Sequence, residues 1–146
     1  MIRVLYLEDD QIFAKTFQRA VRQLDRNPAY KLDQKYEIVH VSTFKEFQKA
    51  LVNDGNFDLV ISDVHVPVFG GSLTGDESFA VAGEVRRHLA EGVMLVFLTS
   101  APKAVEDLLD EGRVIVFDKM DIRGWSDGIR DLIAEIVVSQ HWHPPV

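Results

Sequence analysis

Short apolar runs alternate along this chain with stretches in which apolar residues recur once per helical turn. Each run places apolar side chains at nearly every position, which is typical of a strand that is buried on both faces of a parallel sheet. A further run at 36–41 alternates more and is predicted as an edge strand. The predicted core strands cover residues 2–7, 57–62, 93–98 and 114–117.

Five amphipathic helices are predicted between and after these strands, because the apolar side chains of each stretch share one face. Their apolar stripes include Phe17, Phe47, Val85, Leu108 and Ile129. Alternating strands and helices predict an α/β fold in which a parallel sheet is covered by helices on both faces. With 146 residues, the chain is expected to form one domain over 1–140, followed by a short tail at 141–146.

The composition narrows the possible functions. The sequence contains no cysteine, which excludes disulfides and thiol chemistry and favours a cytoplasmic location. A formal net charge of −7 without a basic cluster disfavours nucleic-acid binding. No apolar run approaches the roughly 20 residues of a membrane span, so no association with a membrane is expected. His141 and His143 are interpreted as residues of the tail rather than as a metal-binding pair.

Polar residues follow the predicted core strands at the point where each strand ends. They are Glu8, Asp9, Asp10, Asp63, Thr99 and Lys119. The carboxyl ends of parallel strands share one edge of the sheet, where ligands bind in folds of this class. We therefore expect these side chains to converge, with the exception of Asp10, which is predicted to cap the helix that follows.

The chemistry of this set points to a phosphoryl group. Clustered carboxylates repel one another, and a hard divalent cation such as Mg²⁺ removes that repulsion. A metal ion and a lysine can neutralise phosphoryl oxygens, a threonine hydroxyl can donate to one of them, and a carboxylate can serve as the covalent acceptor. The sequence therefore predicts a metal-dependent phosphoryl site at this edge of the sheet.

Four motifs, each at a strand end and in this order, give the chain a resemblance to the receiver domains of bacterial two-component response regulators. The motifs are "YLEDD", "VISDVHVP", "VFLTS" and "VFDKMD". The resemblance implies a flavodoxin-like, doubly wound sheet of five parallel strands with helices on both faces. Because no output domain follows the matched region in this sequence, a stand-alone, single-domain receiver is expected.

The resemblance assigns roles to individual residues. Asp63 matches the aspartate that accepts the phosphoryl group. Thr99 and Lys119 match the hydroxyl and the lysine that contact that group. The ligands of Mg²⁺ (or Mn²⁺) are matched by Glu8, Asp9, Asp63 and the main-chain carbonyl of His65.

The resemblance also implies partners. A receiver takes its phosphoryl group from the phosphohistidine of a sensor histidine kinase or a histidine phosphotransfer protein, and it is not otherwise an enzyme. Phosphorylation would draw Thr99 inward, repack a face of the domain and alter contacts with a downstream protein that the sequence does not name. No direct DNA binding is expected.

Three departures from the family pattern leave alternatives open. Val116 stands where family members often carry an aromatic residue, Met120 follows the lysine in place of proline, and the loop at 66–77 is long. The first two features favour a degenerate receiver, a binding module that does not use phosphorylation. An aspartyl-nucleophile phosphatase and a flavodoxin-like cofactor carrier are further alternatives, although the acidic "LEDDQ" segment would repel a cofactor phosphate.

Overall fold

The computed structural model describes residues 2–22, 36–63, 77–89, 93–99 and 114–141. The predicted helix around Leu108, the loop at 66–76, His65 and residues 142–146 lie outside these ranges. Within them, no helix is both long enough and apolar enough to cross a membrane.

The described strands form one parallel sheet, as the apolar runs predicted. The strands are β1 (Ile2–Leu7), β2 (Tyr36–Val41), β3 (Leu59–Ser62), β4 (Met94–Thr99) and β5 (Val114–Asp118). Their order across the sheet is β2-β1-β3-β4-β5, and every neighbouring pair is parallel. The more alternating run does form an edge strand, because β2 pairs with β1 alone.

Helices cover both faces of the sheet. The described helices are α1 (Gln11–Arg22), α2 (Phe44–Asn53), α3 (Glu77–His88) and α4 (Ile122–His141). The last helix includes His141, which the sequence had placed in the tail. The confirmed architecture is the five-stranded, doubly wound α/β sheet that was expected.

The alternation of side chains along each strand divides the core into two layers. In β1, Leu5 and Leu7 pack in the layer with α2 and α3, whereas Val4 and Tyr6 pack in the layer with α1 and α4. This division follows from the two-residue repeat of a strand, which sends successive side chains to opposite faces. Glu8 follows Tyr6 by two residues, so its side chain faces the same side of the sheet. It lies at the edge of the layer formed by α1 and α4.

Side-chain caps fix the beginnings of two helices beside the sheet. The Asp10 carboxylate accepts hydrogen bonds from the backbone N–H groups of Ile12, at 2.9 Å, and Phe13, at 3.2 Å. The Thr43 hydroxyl accepts one from the N–H of Glu46 at 3.1 Å. Asp10 therefore caps α1, as predicted, and the acids available for a site after β1 are the two that precede it.

Two glycines in helix interiors offer a matched test of the packing. A methyl group on Gly128 of α4 would overlap the ring of Phe117, whereas one on Gly83 of α3 would meet nothing within 4 Å. We expect Gly83→Ala to raise the free energy of unfolding by about 0.5–1 kcal/mol through helix propensity. Gly128→Ala should instead lower it by about 1–3 kcal/mol, because the ring must leave its position. Urea unfolding of the two variants measures both effects, and equal stabilisation would contradict the packing of Phe117 against α4.

Candidate functional site

Backbone hydrogen bonds between neighbouring strands continue for one residue past the ends of β1, β3 and β5, and they hold the residues that follow these strands. The backbone N–H of Glu8 donates to Val41 at 3.0 Å, and that of Asp63 donates to Leu7 at 3.1 Å. The N–H of Lys119 donates to the carbonyl of Thr99 at 2.9 Å. The sheet therefore positions these three candidate side chains one residue beyond the regular strands, at a single edge.

The Lys119 ammonium joins two buried carboxyl groups. Its Nζ lies 2.6 Å from Glu8 Oε1 and 2.9 Å from Asp63 Oδ2. Glu8 is 1% exposed and Asp63 is 5% exposed, so water screens these contacts weakly. The same ammonium lies 4.3 Å from the ring centroid of Phe13, within the range of a cation–π contact. Lys119 thus extends from β5 across β4 to the ends of β3 and β1.

The two buried carboxyl groups share a single ammonium, and this shifts the pKa values of Glu8 and Lys119. Burial raises the pKa of the Glu8 carboxyl to about 8, and the neighbouring Asp63 adds to the rise, while Lys119 offsets part of it. Burial disfavours the charge on Lys119, but its hydrogen bonds to Glu8 and Asp63 prevail and raise the pKa of the ammonium. Even beside the Lys119 ammonium, the buried Glu8 carboxyl therefore holds its proton more tightly than a solvated one.

The acidic groups also satisfy the requirements of a hard cation. Carboxylate oxygens of Glu8, Asp9 and Asp63 all lie within 4.8 Å of one another. Asp9 is exposed, whereas the other two acids are buried, so an incoming cation meets Asp9 from the solvent side. Oxygen ligands from a few carboxylates together with water are the usual environment of Mg²⁺. The donor set fits a divalent cation, which would supply the missing positive charge.

The raised pKa of Glu8 predicts that the free energy of unfolding of the metal-free protein depends on pH. The folded-state pKa of Glu8 is raised from 4.5 to about 8, so the folded state binds the proton more tightly than the unfolded chain. The free energy of unfolding should therefore fall as the pH rises from about 5 to about 8. Urea unfolding across this range in the presence of a chelator measures the effect.

The matched variant for this pH series is Glu8→Gln, which keeps the shape of the side chain and removes its proton equilibrium. Its stability should be much less dependent on pH between about 5 and about 8. An equal slope in the two proteins would show that other groups cause the dependence.

Thr99 lies at the end of β4, the strand between those that carry Asp63 and Lys119. It is fully buried, and it pairs in register with Asp118, the residue before the lysine. Its main-chain contact with Lys119 joins it to the site. The structure thus brings together Glu8, Asp9, Asp63 and Lys119 and places Thr99 on the strand between, whereas His65 is outside the described residues.

Val116 and Met120 depart from the family pattern, and both lie among the residues that the structure describes. Val116 packs with the layer of α2 and α3, whereas Phe117 packs with the layer of α1 and α4. The neighbouring aromatic residue therefore cannot replace an aromatic at 116, because it faces the other side of the sheet. Met120 is 79% exposed, and its N–H donates to the Asp118 carboxylate at 2.9 Å, so a hydrogen-bonded turn follows the lysine.

Sequence reasoning missed two residues that contact the site. Phe13 lies under the Lys119 ammonium, and His40 on β2 forms a hydrogen bond from Nε2 to the main-chain carbonyl of Glu8 at 2.9 Å. Phe13 lies on the apolar face of α1, so the periodicity of the sequence predicts only a packing role for it. For His40, the signal was a polar side chain at the carboxyl end of an edge strand, the same position rule that identified the acids.

Neither the family models nor the curated proteins provide a match to this sequence. Solved structures do. A signal receiver domain of a two-component histidine kinase from Clostridium thermocellum aligns with a TM-score of 0.68 at 13% identity, over 90% of this chain and 96% of that one. A two-component transcriptional regulator AraC from Clostridium phytofermentans ISDg aligns with a TM-score of 0.61 at 14% identity, over 97% of both chains.

The BeF3-activated conformation of SdrG from Pseudomonas melonis Fr1 also aligns, with a TM-score of 0.52 at 21% identity, over 92% of this chain and 95% of that one. Such identities establish a shared fold rather than a shared activity. The chain therefore has the fold of the receiver domains of two-component signalling proteins, as its strand-end motifs predicted.

Proposed function

We propose that this protein is a phosphoacceptor of a two-component signalling pathway and that Asp63 is the residue that accepts the phosphoryl group. The observation that carries the proposal is the position of the Lys119 ammonium, which contacts both Glu8 and Asp63 among buried groups. A lysine that is held against a strand-end carboxylate, beside two further acids, is the arrangement that phosphoryl transfer to an aspartate requires. The receiver fold supports the same reading.

Glu8, Asp9 and Asp63 would hold Mg²⁺ (or Mn²⁺), and the main-chain carbonyl of His65 is the further ligand that the resemblance implies. The metal supplies positive charge against the carboxylates and the transferred phosphoryl oxygens. Glu8, whose pKa is raised in the metal-free protein, would be ionised as a ligand of the cation. The acidic residues therefore bind the cation, and Asp63 also provides the nucleophile.

In the proposed reaction, a carboxylate oxygen of Asp63 attacks the phosphorus atom of a phosphohistidine. The P–O bond to Asp63 forms as the P–N bond to the donor imidazole breaks, and the imidazole leaves with the bonding electron pair. Lys119 moves its hydrogen bond from Asp63 Oδ2 to a phosphoryl oxygen, which keeps the positive charge next to the transferred group. The Thr99 hydroxyl donates to another oxygen. Water later attacks the phosphorus atom, the P–O bond to Asp63 breaks, and inorganic phosphate leaves the free carboxylate.

The phosphoryl donor would be a sensor histidine kinase or a histidine phosphotransfer protein, and the output would be a change in protein contacts. Ile12 is 80% exposed and Met120 is 79% exposed, although both are large and apolar. Ile12 precedes Phe13, which contacts Lys119, and Met120 follows Lys119 directly. Both residues are thus neighbours in sequence of residues that form the site, and their exposed apolar side chains offer surface that the phosphohistidine donor would contact.

One observation favours the alternative of a receiver that does not use phosphorylation. Val116 stands where family members often carry an aromatic residue, and the neighbouring Phe117 cannot take that place because it packs on the other face of the sheet. In that case the protein would act as a binding module in its metal-free state. The two functions differ in their response to Mg²⁺, because a cation that binds only the folded state stabilises it by linkage.

The test combines Mg²⁺ with a small phosphodonor such as acetyl phosphate and follows the mass of the intact protein. We expect a gain of one phosphoryl group when Mg²⁺ is present and no gain when a chelator removes it. Thermal unfolding with and without Mg²⁺ provides the second measurement. A protein that neither gains mass nor changes stability with the metal would be the phosphorylation-independent module.

A further inference from the structure

Both main-chain groups of Glu8 are bonded to β2. The N–H of Glu8 donates to the carbonyl of Val41 at 3.0 Å, which extends the parallel ladder past the end of β1. The carbonyl of Glu8 accepts a hydrogen bond from Nε2 of His40 at 2.9 Å. A carbonyl oxygen only accepts, so the imidazole carries its proton on Nε2 in this contact. The edge strand thus fixes the backbone of Glu8 on both sides of its Cα atom.

The His40 ring is itself held in position by aromatic packing. His40 is opposite Tyr6 in the register of β1 and β2, and the two ring centroids are 5.4 Å apart. Tyr6 is fully buried, and its ring stacks on Phe17 of α1 at 4.1 Å. Turning the imidazole away from the Glu8 carbonyl would break this ring contact, so the packing favours the orientation in which Nε2 donates to the carbonyl.

The carbonyl that His40 holds belongs to the peptide bond between Glu8 and Asp9. A peptide unit is planar, so fixing its orientation sets ψ of Glu8 and φ of Asp9 together. Those two angles direct the two adjacent side chains, of which Glu8 is buried against Lys119 and Asp9 is exposed. With this peptide orientation, carboxylate oxygens of both residues lie within 4.8 Å of each other and of Asp63.

We infer that His40 is a positioning residue for the cation site: its hydrogen bond to the Glu8 carbonyl orients the Glu8–Asp9 peptide so that both carboxylates face Asp63. This inference rests on the proposed function, because it assumes that the three acids bind Mg²⁺. Groups that orient metal ligands without touching the metal typically contribute about 10–100-fold to metal affinity. His40 acts through the main chain, so we expect an effect near the lower end of that range.

Two substitutions separate the hydrogen bond from the ring. His40→Phe keeps an aromatic ring against Tyr6 and removes the donor, and it should weaken Mg²⁺ binding by about tenfold. His40→Gln removes the ring and keeps an amide N–H at a reach similar to that of Nε2, and it should stay within about threefold of the unchanged protein. Isothermal titration with MgCl₂ measures all three affinities, and urea unfolding without metal reports whether each variant is folded.

Hydrogen exchange of the Glu8 amide in the metal-free protein gives a readout that is independent of the metal. This amide should exchange faster in His40→Phe than in the unchanged protein, and His40→Gln should restore its protection. Equal Mg²⁺ affinity in the Phe variant, or a larger loss in the Gln variant than in the Phe variant, would overturn the role of the hydrogen bond and leave the proposed function intact. Failure of the unchanged protein to bind Mg²⁺ would instead overturn the proposed function and this inference with it.

Discussion

Asp63→Asn should abolish phosphoryl uptake while leaving the protein folded. The amide has nearly the shape of the carboxylate, and its oxygen can still accept a hydrogen bond from Lys119, but it is not a nucleophile at neutral pH. Intact mass after incubation with Mg²⁺ and acetyl phosphate should show no phosphorylated species in the variant. The measurement is decisive because only one residue of the site is proposed to form the covalent bond.

The same substitution has a second expected effect that does not depend on phosphorylation. The Asp63 charge contributes to the raised pKa of Glu8, so removing that charge should lower this pKa from its value of about 8. The stability of the metal-free variant should then decline less between pH 5 and pH 8 than that of the unchanged protein. Urea unfolding at several pH values measures this decline.

The control for Asp63→Asn is Asp127→Asn on α4, where the carboxylate is 49% exposed and pairs with Arg130. An exposed pair of this kind contributes about 0–1 kcal/mol, and it is not part of the acidic site. The control should take up the phosphoryl group as the unchanged protein does. Undiminished mass gain in Asp63→Asn would show that another side chain is the acceptor.

Lys119→Met should have the largest effect on the site as a whole. Removing the ammonium leaves two buried carboxyl groups without their cation, and breaking one side of a buried ion pair costs about 3–5 kcal/mol. The loss of stability should be greatest above pH 8 and smaller in acid, because Glu8 can then take up a proton. Phosphoryl uptake should fall to a small fraction of its original rate.

Metal binding should respond to Lys119→Met in the opposite direction. The ammonium and the divalent cation neutralise the same carboxylates, so the site without the lysine is more negative and should bind Mg²⁺ more tightly. Calorimetric titration should therefore show a higher affinity in a variant that no longer takes up phosphate efficiently. Weaker Mg²⁺ binding would show that the lysine supports the site by packing rather than by charge.

Lys49→Met on α2 is the matched control for the loss of a lysine charge. Lys49 is exposed and shares none of the contacts of the acidic site. Its replacement should change stability by less than about 0.5 kcal/mol. Phosphoryl uptake and Mg²⁺ affinity should remain as in the unchanged protein. This result would show that the effects of Lys119→Met come from the place of the lysine in the site and not from the change in net charge.

The sequence by itself determined the layers of the fold and the location of the site. Apolar runs at every core strand identified a parallel sheet, and the rule that strand ends meet at one edge brought Glu8, Asp63 and Lys119 together although they are far apart in the chain. The cap formed by Asp10 was also predictable, because capping depends on neighbours within three residues. These features follow from local periodicity and from one topological rule.

Only the tertiary structure decided how the site is charged and oriented. The raised pKa of Glu8 comes from burial and from a contact with Asp63, and neither is written in the local sequence. The hydrogen bond from His40 to the Glu8 carbonyl joins residues 32 positions apart, and the packing of Phe117 against Gly128 depends on the placement of α4. Periodicity reports which face a side chain occupies, whereas desolvation and hydrogen bonding depend on distances between elements that only the folded chain sets.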